Sequence, residues 1–86
     1  MSTSNVHELT GAPTAVGVTF DDAAMRVQLA DGRELSVPLA WFPRLARATR
    51  AELEQCRLLG GGIGLSWQNL DEDISVAGLL RGNRGR

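Results

Sequence analysis

Between residues 15 and 37 apolar and polar side chains alternate with a period of two, the spacing of strands that bury one face. Val16, Val18 and Phe20 alternate with Ala15, Gly17 and Thr19. Met25, Val27 and Leu29 alternate with Arg26 and Gln28, and Leu35 and Val37 with Glu34 and Ser36. Three short antiparallel strands follow, and because directly paired residues share a face, the pattern also sets their register. A loop over 21–24 brings Phe20 opposite Met25, Val18 opposite Val27 and Val16 opposite Leu29. At the second turn, a two-residue Asp31-Gly32 loop would set Val27 against Ser36 and mix the faces. A loop over 30–32 instead sets Val27 against Leu35 and Met25 against Val37. That choice predicts a type I turn with Gly32 left-handed at a glycine bulge. The other face, with Arg26, Gln28, Glu34 and Ser36, is left to solvent.

The apolar face needs a cover, and beyond Pro38 the spacing becomes helical. Leu39, Phe42, Leu45 and Ala46 fall on one side, with Arg44 and Arg47 elsewhere. Pro43 fits the first turn, where its missing N–H has no partner to lose. Thr49 followed by Glu52 is a capping box. It predicts a second helix over about 50–58 that buries Leu53 and Cys56 and places Glu54 to pair with Arg50 and Arg57. The glycines at 60–62 stop it. Residues 63–67 read as a fourth strand, or one beginning earlier at Leu58 with the glycines as bulge or turn. A last helix is expected over 71–80. The expected class is α+β: a small antiparallel meander with helices packed on one face, then a short fourth strand and a short C-terminal helix. Residues 1–13 read as a flexible lead, 14–80 as one domain, and 81–86 as a flexible basic tail.

Composition narrows the function more than the fold. At 86 residues, 43% hydrophobic and 22% charged, the chain is expected to be one small soluble domain. A net charge of −1 argues against wholesale nucleic-acid binding. All nine cations are arginines, so Walker and Schiff-base lysines are excluded. One cysteine and one histidine cannot build a disulfide, a zinc cage or a Cys–His site. The start of the chain lacks the basic and apolar regions of a signal peptide, and no stretch reaches membrane-spanning length, so the expected location is cytoplasmic.

Two stretches carry a resemblance: "DGRELSVPLAWFPRLARAT" and "CRLLGGGIGLSWQNLDEDISVAGLL". Asp31-Gly32, the run 41–45, the glycines, Trp67, the run 70–74 and 78–80 make the chain similar to the bacterial family called domain of unknown function 2442. The resemblance spans about residues 14–80. It implies a compact α+β domain, similar to modules found beside small toxin-like genes and in some members fused to a helix-turn-helix domain. It supplies no catalytic residues. A chain ending at residue 86 has no room for that second domain, so a regulatory role is expected to run through partners.

The remaining candidate chemistry lies in charges and aromatics. Asp71, Glu72 and Asp73 read first as a helix N-cap and first turn, where the helix dipole favours negative charge. A partner-facing acidic patch is the alternative, and a metal clamp falls short of the oxygens calcium needs. Arg44, Arg47, Arg50 and Arg57 form the one basic stretch, a solvated face or a site for carboxylates or phosphates. Trp67 reads as a core anchor, and Trp41 lies at the edge of the buried stripe. The glycine run follows a helix rather than a strand, so it does not match a dinucleotide loop. His7 and Cys56 carry no expected role. The expectation is a non-catalytic interaction module without metal or cofactor, antitoxin-like or regulatory. Its candidate contact residues are Asp71, Glu72, Asp73, Arg44, Arg47, Arg50 and Trp41, and its expected partner is a protein, such as a small toxin-like one from an adjacent gene. The alternative is a nucleic-acid accessory that uses the arginine face of 44–57 and the basic tail.

Overall fold

The alternating stretch forms β1 (Ala15–Phe20), β2 (Ala24–Leu29) and β3 (Glu34–Pro38), paired in that order, in a computed structural model that describes residues 13–82. Phe20 faces Met25, Val18 faces Val27, Val27 faces Leu35 and Met25 faces Val37, as the alternation requires. At the second turn Gly32 has φ 93° and donates to the Leu29 carbonyl at 3.0 Å, while Leu29 N–H reaches the Arg33 carbonyl at 2.8 Å. At the first, the Asp21 carboxylate accepts from the N–H groups of Ala23 and Ala24, both at 2.8 Å, and pairs with Arg26.

The expected pairing of Val16 with Leu29 is not made. A bulge between Ala15 and Gly17 puts Ala15 opposite Leu29, and Val16 is left 61% exposed. The extra residue lets Ala15 turn inward and donate at 2.7 Å to the carbonyl of Gly62, in a turn of the second sheet. Alternation within two strands carries no trace of that third partner.

The cover is two pieces instead of one helix. Leu39–Trp41 is a single 3-10 turn, Phe42 is extended, and α1 (Pro43–Ala46) restarts with Pro43 in its first turn. Leu39, Phe42 and Leu45 are buried, but the break turns Ala46 outward. The capping box is present: Thr49 Oγ1 accepts from Glu52 N at 3.1 Å, and Glu52 Oε1 from Thr49 N at 2.9 Å. Its helix, α2 (Arg50–Leu53), is shorter than 50–58, so Cys56 lies beyond it, half-buried. Glu54 N–H still donates to the Arg50 carbonyl at 3.0 Å, but the expected ion pair is not made, and the Arg50 guanidinium reaches Asp22 at 3.3 Å instead.

A second antiparallel meander follows: β4 (Arg57–Leu59), β5 (Gly64–Trp67) and β6 (Glu72–Ser75). The glycines are the β4–β5 turn, the second of the two sequence readings, although the fourth strand begins at Leu58's neighbour Arg57. After β5 a 3-10 turn, Gln68–Leu70, ends at Asp71, which is left-handed at φ 54° and ψ 46°. Asp71 is therefore not a helix N-cap. The last helix is α3 (Val76–Leu80) alone, and its cap is Ser75, whose Oγ accepts from Gly78 N at 3.0 Å. The alternation of Glu72 and Ile74 with Asp73 and Ser75 is strand spacing, with Ile74 facing Leu65.

Trp67 joins the layers. Its ring is buried and meets Phe20 of the first sheet edge-on with centroids 6.4 Å apart, and its indole N–H donates to the Leu53 carbonyl at 2.8 Å. Met25, Val27, Val37, Leu45, Leu65 and Val76 complete the fully buried set, each contributing roughly 1.5–3 kcal/mol of transfer free energy. The expected lead over 1–13 and His7 fall outside the described residues apart from Pro13, as does the expected tail beyond Gly82.

Candidate functional site

The acidic run and the first arginine of the basic stretch meet. The turn at Gln68–Leu70 and the left-handed Asp71 bring the start of β6 beside α1. There the Arg44 guanidinium donates to the Asp71 carbonyl and lies 3.6 Å from Glu72 Oε1. Asp73 points to the opposite sheet face, where its carboxylate accepts from Ser66 Oγ at 2.7 Å. The corner is thus largely satisfied from within, and its carboxylates do not converge on one point. Among the described residues no group of three or more His, Cys, Asp or Glu side chains could hold a metal ion.

Of the other candidates, Arg50 is engaged by Asp22, and Trp41 is half-buried against the core. Arg47 is exposed and has no acidic partner among the described residues, and the same holds for Arg57. Ser66, the one buried polar residue among those described, stands between Arg57 and Asp73 in adjacent strands, so the three share a face.

A different surface was not read from the sequence. Among the described residues β1 and β4 are each an edge strand of their sheet, and these two strands lie side by side. They are pinned at one end by the Ala15–Gly62 hydrogen bond. Away from the pin lies a depression of about 430 Å³, with Val18, Thr19 and Phe20 on one side and Glu54 and Cys56 on the other. All four exposed large apolar residues among those described flank this seam: Val16, Leu58, Leu59 and Ile63, the last 63% exposed. The available signal was Leu58-Leu59, two adjacent apolar residues where a strand with one buried face would carry one.

Burial pushes the Cys56 thiol up to about 11, so it stays protonated at neutral pH and is a poor nucleophile. Asp21 is held down to about 2, first by the Ala23 and Ala24 amides and then by Arg26. Asp31 is lowered by the Arg33 amide and then its guanidinium. Both are turn carboxylates far from the ends of the acidic run in sequence, and their shifts reflect turn closure. No described helix is long and apolar enough to cross a membrane.

The profile of a family described as protein of unknown function, DUF2442, matches residues 15–85. Two solved structures are similar. One is a crystal structure of a protein of unknown function from Rhodospirillum rubrum, 32% identical with a TM-score of 0.77, covering 88% of this chain and 94% of that one. The other is a solution structure of an uncharacterised protein from Chromobacterium violaceum, 26% identical with a TM-score of 0.76, covering 95% of this chain and 76% of that one. No curated protein matches.

Proposed function

We propose that the chain, which belongs to the DUF2442 family, is a small non-catalytic module that binds a protein partner in the cytoplasm, in an antitoxin-like or other regulatory role. The observation that carries this reading is the gathering of Val16, Leu58, Leu59 and Ile63 on one seam. Single exposed apolar residues need no explanation, but four of them on β1, on β4 and in the β4–β5 turn make this junction the candidate interaction surface. The polar candidates rank behind it. Arg44, Glu72, Asp73 and Arg50 already have internal partners, which leaves Arg47 and the Asp71 carboxylate with charge to offer.

The test is affinity purification of the tagged full chain at native expression, beside an Ile63→Asp, Leu59→Asp variant checked for folding by circular dichroism. A single stoichiometric protein that co-purifies with the parent chain, survives added salt and is lost from the folded variant is the expected result. A complex that dissolves in salt and nuclease would replace this reading with nucleic-acid binding, because phosphate contacts weaken steeply with salt. Equal capture by both chains would remove the seam from the function.

A further inference from the structure

We propose that the bond between Asp31 and Gly32 is a site of spontaneous backbone isomerisation, held latent by the β2–β3 turn and by Arg33. Asp31 is the one aspartate or asparagine of the chain that is followed by glycine. That neighbour matters because the reaction begins with attack of the Gly32 main-chain nitrogen on the Asp31 side-chain carboxyl carbon. Glycine has no Cβ to hinder the approach. As the new C–N bond forms, the amide proton and the carboxyl hydroxyl leave as water, and a five-membered succinimide results. Water then opens the ring at either carbonyl. Opening at the side-chain carbonyl restores aspartate, and opening at the main-chain carbonyl leaves isoaspartate, with the chain running through the former side chain. Water is the only co-reactant, and it has access: Asp31 and Gly32 are both exposed, with nothing within 4 Å of a Cβ placed at Gly32.

The turn keeps the two reacting atoms apart by giving each another partner. Gly32 N–H donates to the Leu29 carbonyl at 3.0 Å, which commits the nucleophilic nitrogen to the hairpin. The Asp31 carboxylate accepts from Arg33 N–H at 3.1 Å and from Arg33 Nε at 2.8 Å, which holds it on the far side of Gly32. The same contacts favour its ionised form, the poorer electrophile of the two. Leu29 N–H closes the loop on the Arg33 carbonyl at 2.8 Å. Ring closure therefore proceeds from the opened turn, at the rate of the unfolded chain multiplied by the fraction open. The Arg33 side chain is 63% exposed, so its guanidinium supplies only a surface pair's share of the protection, about 1.5–5-fold. The backbone bonds supply the rest. Isoaspartate puts one more main-chain carbon into the loop over 30–32, the loop whose length keeps Val27 opposite Leu35. The aged chain cannot close the same turn on that register.

The test ages the full chain at neutral pH beside a capped peptide of residues 27–36, which carries the same bond without the fold. Isoaspartate is counted as cleavage lost before Asp31, without change of mass, on digestion with an aspartate-specific protease. Opening of the turn is followed by NMR as exchange of the Gly32 amide. The folded chain is expected to isomerise more slowly than the peptide by the factor that protects the Gly32 amide, to within about tenfold. Arg33→Ala should speed the folded chain by about 1.5–5-fold and leave the rate of the peptide unchanged. The isoaspartate-bearing fraction should unfold at lower urea than the fresh chain. A folded chain that ages as fast as the peptide overturns the proposal, and so does isoaspartate that arises first at Asp71 or Asp73. An Arg33→Ala chain that ages no faster than the parent, or an aged fraction as stable as the fresh chain, also overturns it.

Discussion

Replacing Gly62 by alanine should damage the protein far more than replacing its neighbour Gly61, because only Gly62 lies where the two sheets touch. Gly61 has φ +71° with nothing within 4 Å of an added Cβ. Its replacement carries the left-handed penalty of about 1–2 kcal/mol, partly offset by the lower entropy of the unfolded alanine chain. Gly62 has φ +106°, and its added Cβ would lie 2.2 Å from the Ala15 carbonyl oxygen and 3.0 Å from Ala15 N. No flexible side chain can yield there, so the backbones must part and the 2.7 Å Ala15–Gly62 hydrogen bond is lost. Ala15 is 2% exposed, so its N–H is stranded away from water.

Strain of ~1–3 kcal/mol and a stranded donor of ~1–3 kcal/mol bring Gly62→Ala to about 2–6 kcal/mol. That is comparable with the whole stability of many domains this small, ~0.05–0.15 kcal/mol per residue. The assay is urea unfolding of both variants followed by tryptophan fluorescence. With a slope near ~1 kcal/mol per molar urea, Gly61→Ala should lower the midpoint by ~1 M, and Gly62→Ala by several molar or to the point of no folded baseline. Equal midpoints for the two variants would refute the seam as a rigid junction.

Two further outcomes test the reassigned elements and the turn electrostatics. Ser75→Ala should cost ~1 kcal/mol, since Ser75 caps α3, whereas Asp71→Gly should be neutral or slightly stabilising, since glycine relieves the left-handed backbone. Urea midpoints check this, and a Ser75→Ala chain as stable as the parent would restore a helix running through position 75. Asp21 has a depressed folded pKa, so its contribution is present above its unfolded value of 3.8 and is lost as pH falls from there through about 2. Melting temperatures over that window should fall less steeply for Asp21→Asn than for the parent, and parallel curves would remove the Asp21 turn as the cause.

Features set by nearest neighbours in sequence were legible, and features set by distant contacts were not. The β2–β3 register followed from keeping Val27 and Met25 on the face of Leu35 and Val37, because a slip of one residue would bury Ser36. The box of Thr49 and Glu52 is local hydrogen bonding and was equally readable. The length of its helix was not, because Trp67 takes the Leu53 carbonyl from far along the chain and the backbone turns there.

The acidic run shows the same division at the candidate site. Three acids ahead of an apolar stretch are what a helix start looks like, and dipole chemistry gives that pattern a cause. The deciding facts lie elsewhere: Leu65 and Trp67 offer a strand edge, so 72–75 pairs with it, and the helix waits for Ser75. Arg44 then holds the Asp71 carbonyl across a separation of 27 residues, which no local pattern encodes. The seam was hidden for a related reason. Val16 looked like a core residue because β2 alone was counted as its neighbour. It faces outward because Gly62 claims Ala15, and that one contact both exposes Val16 and sets two sheet edges side by side.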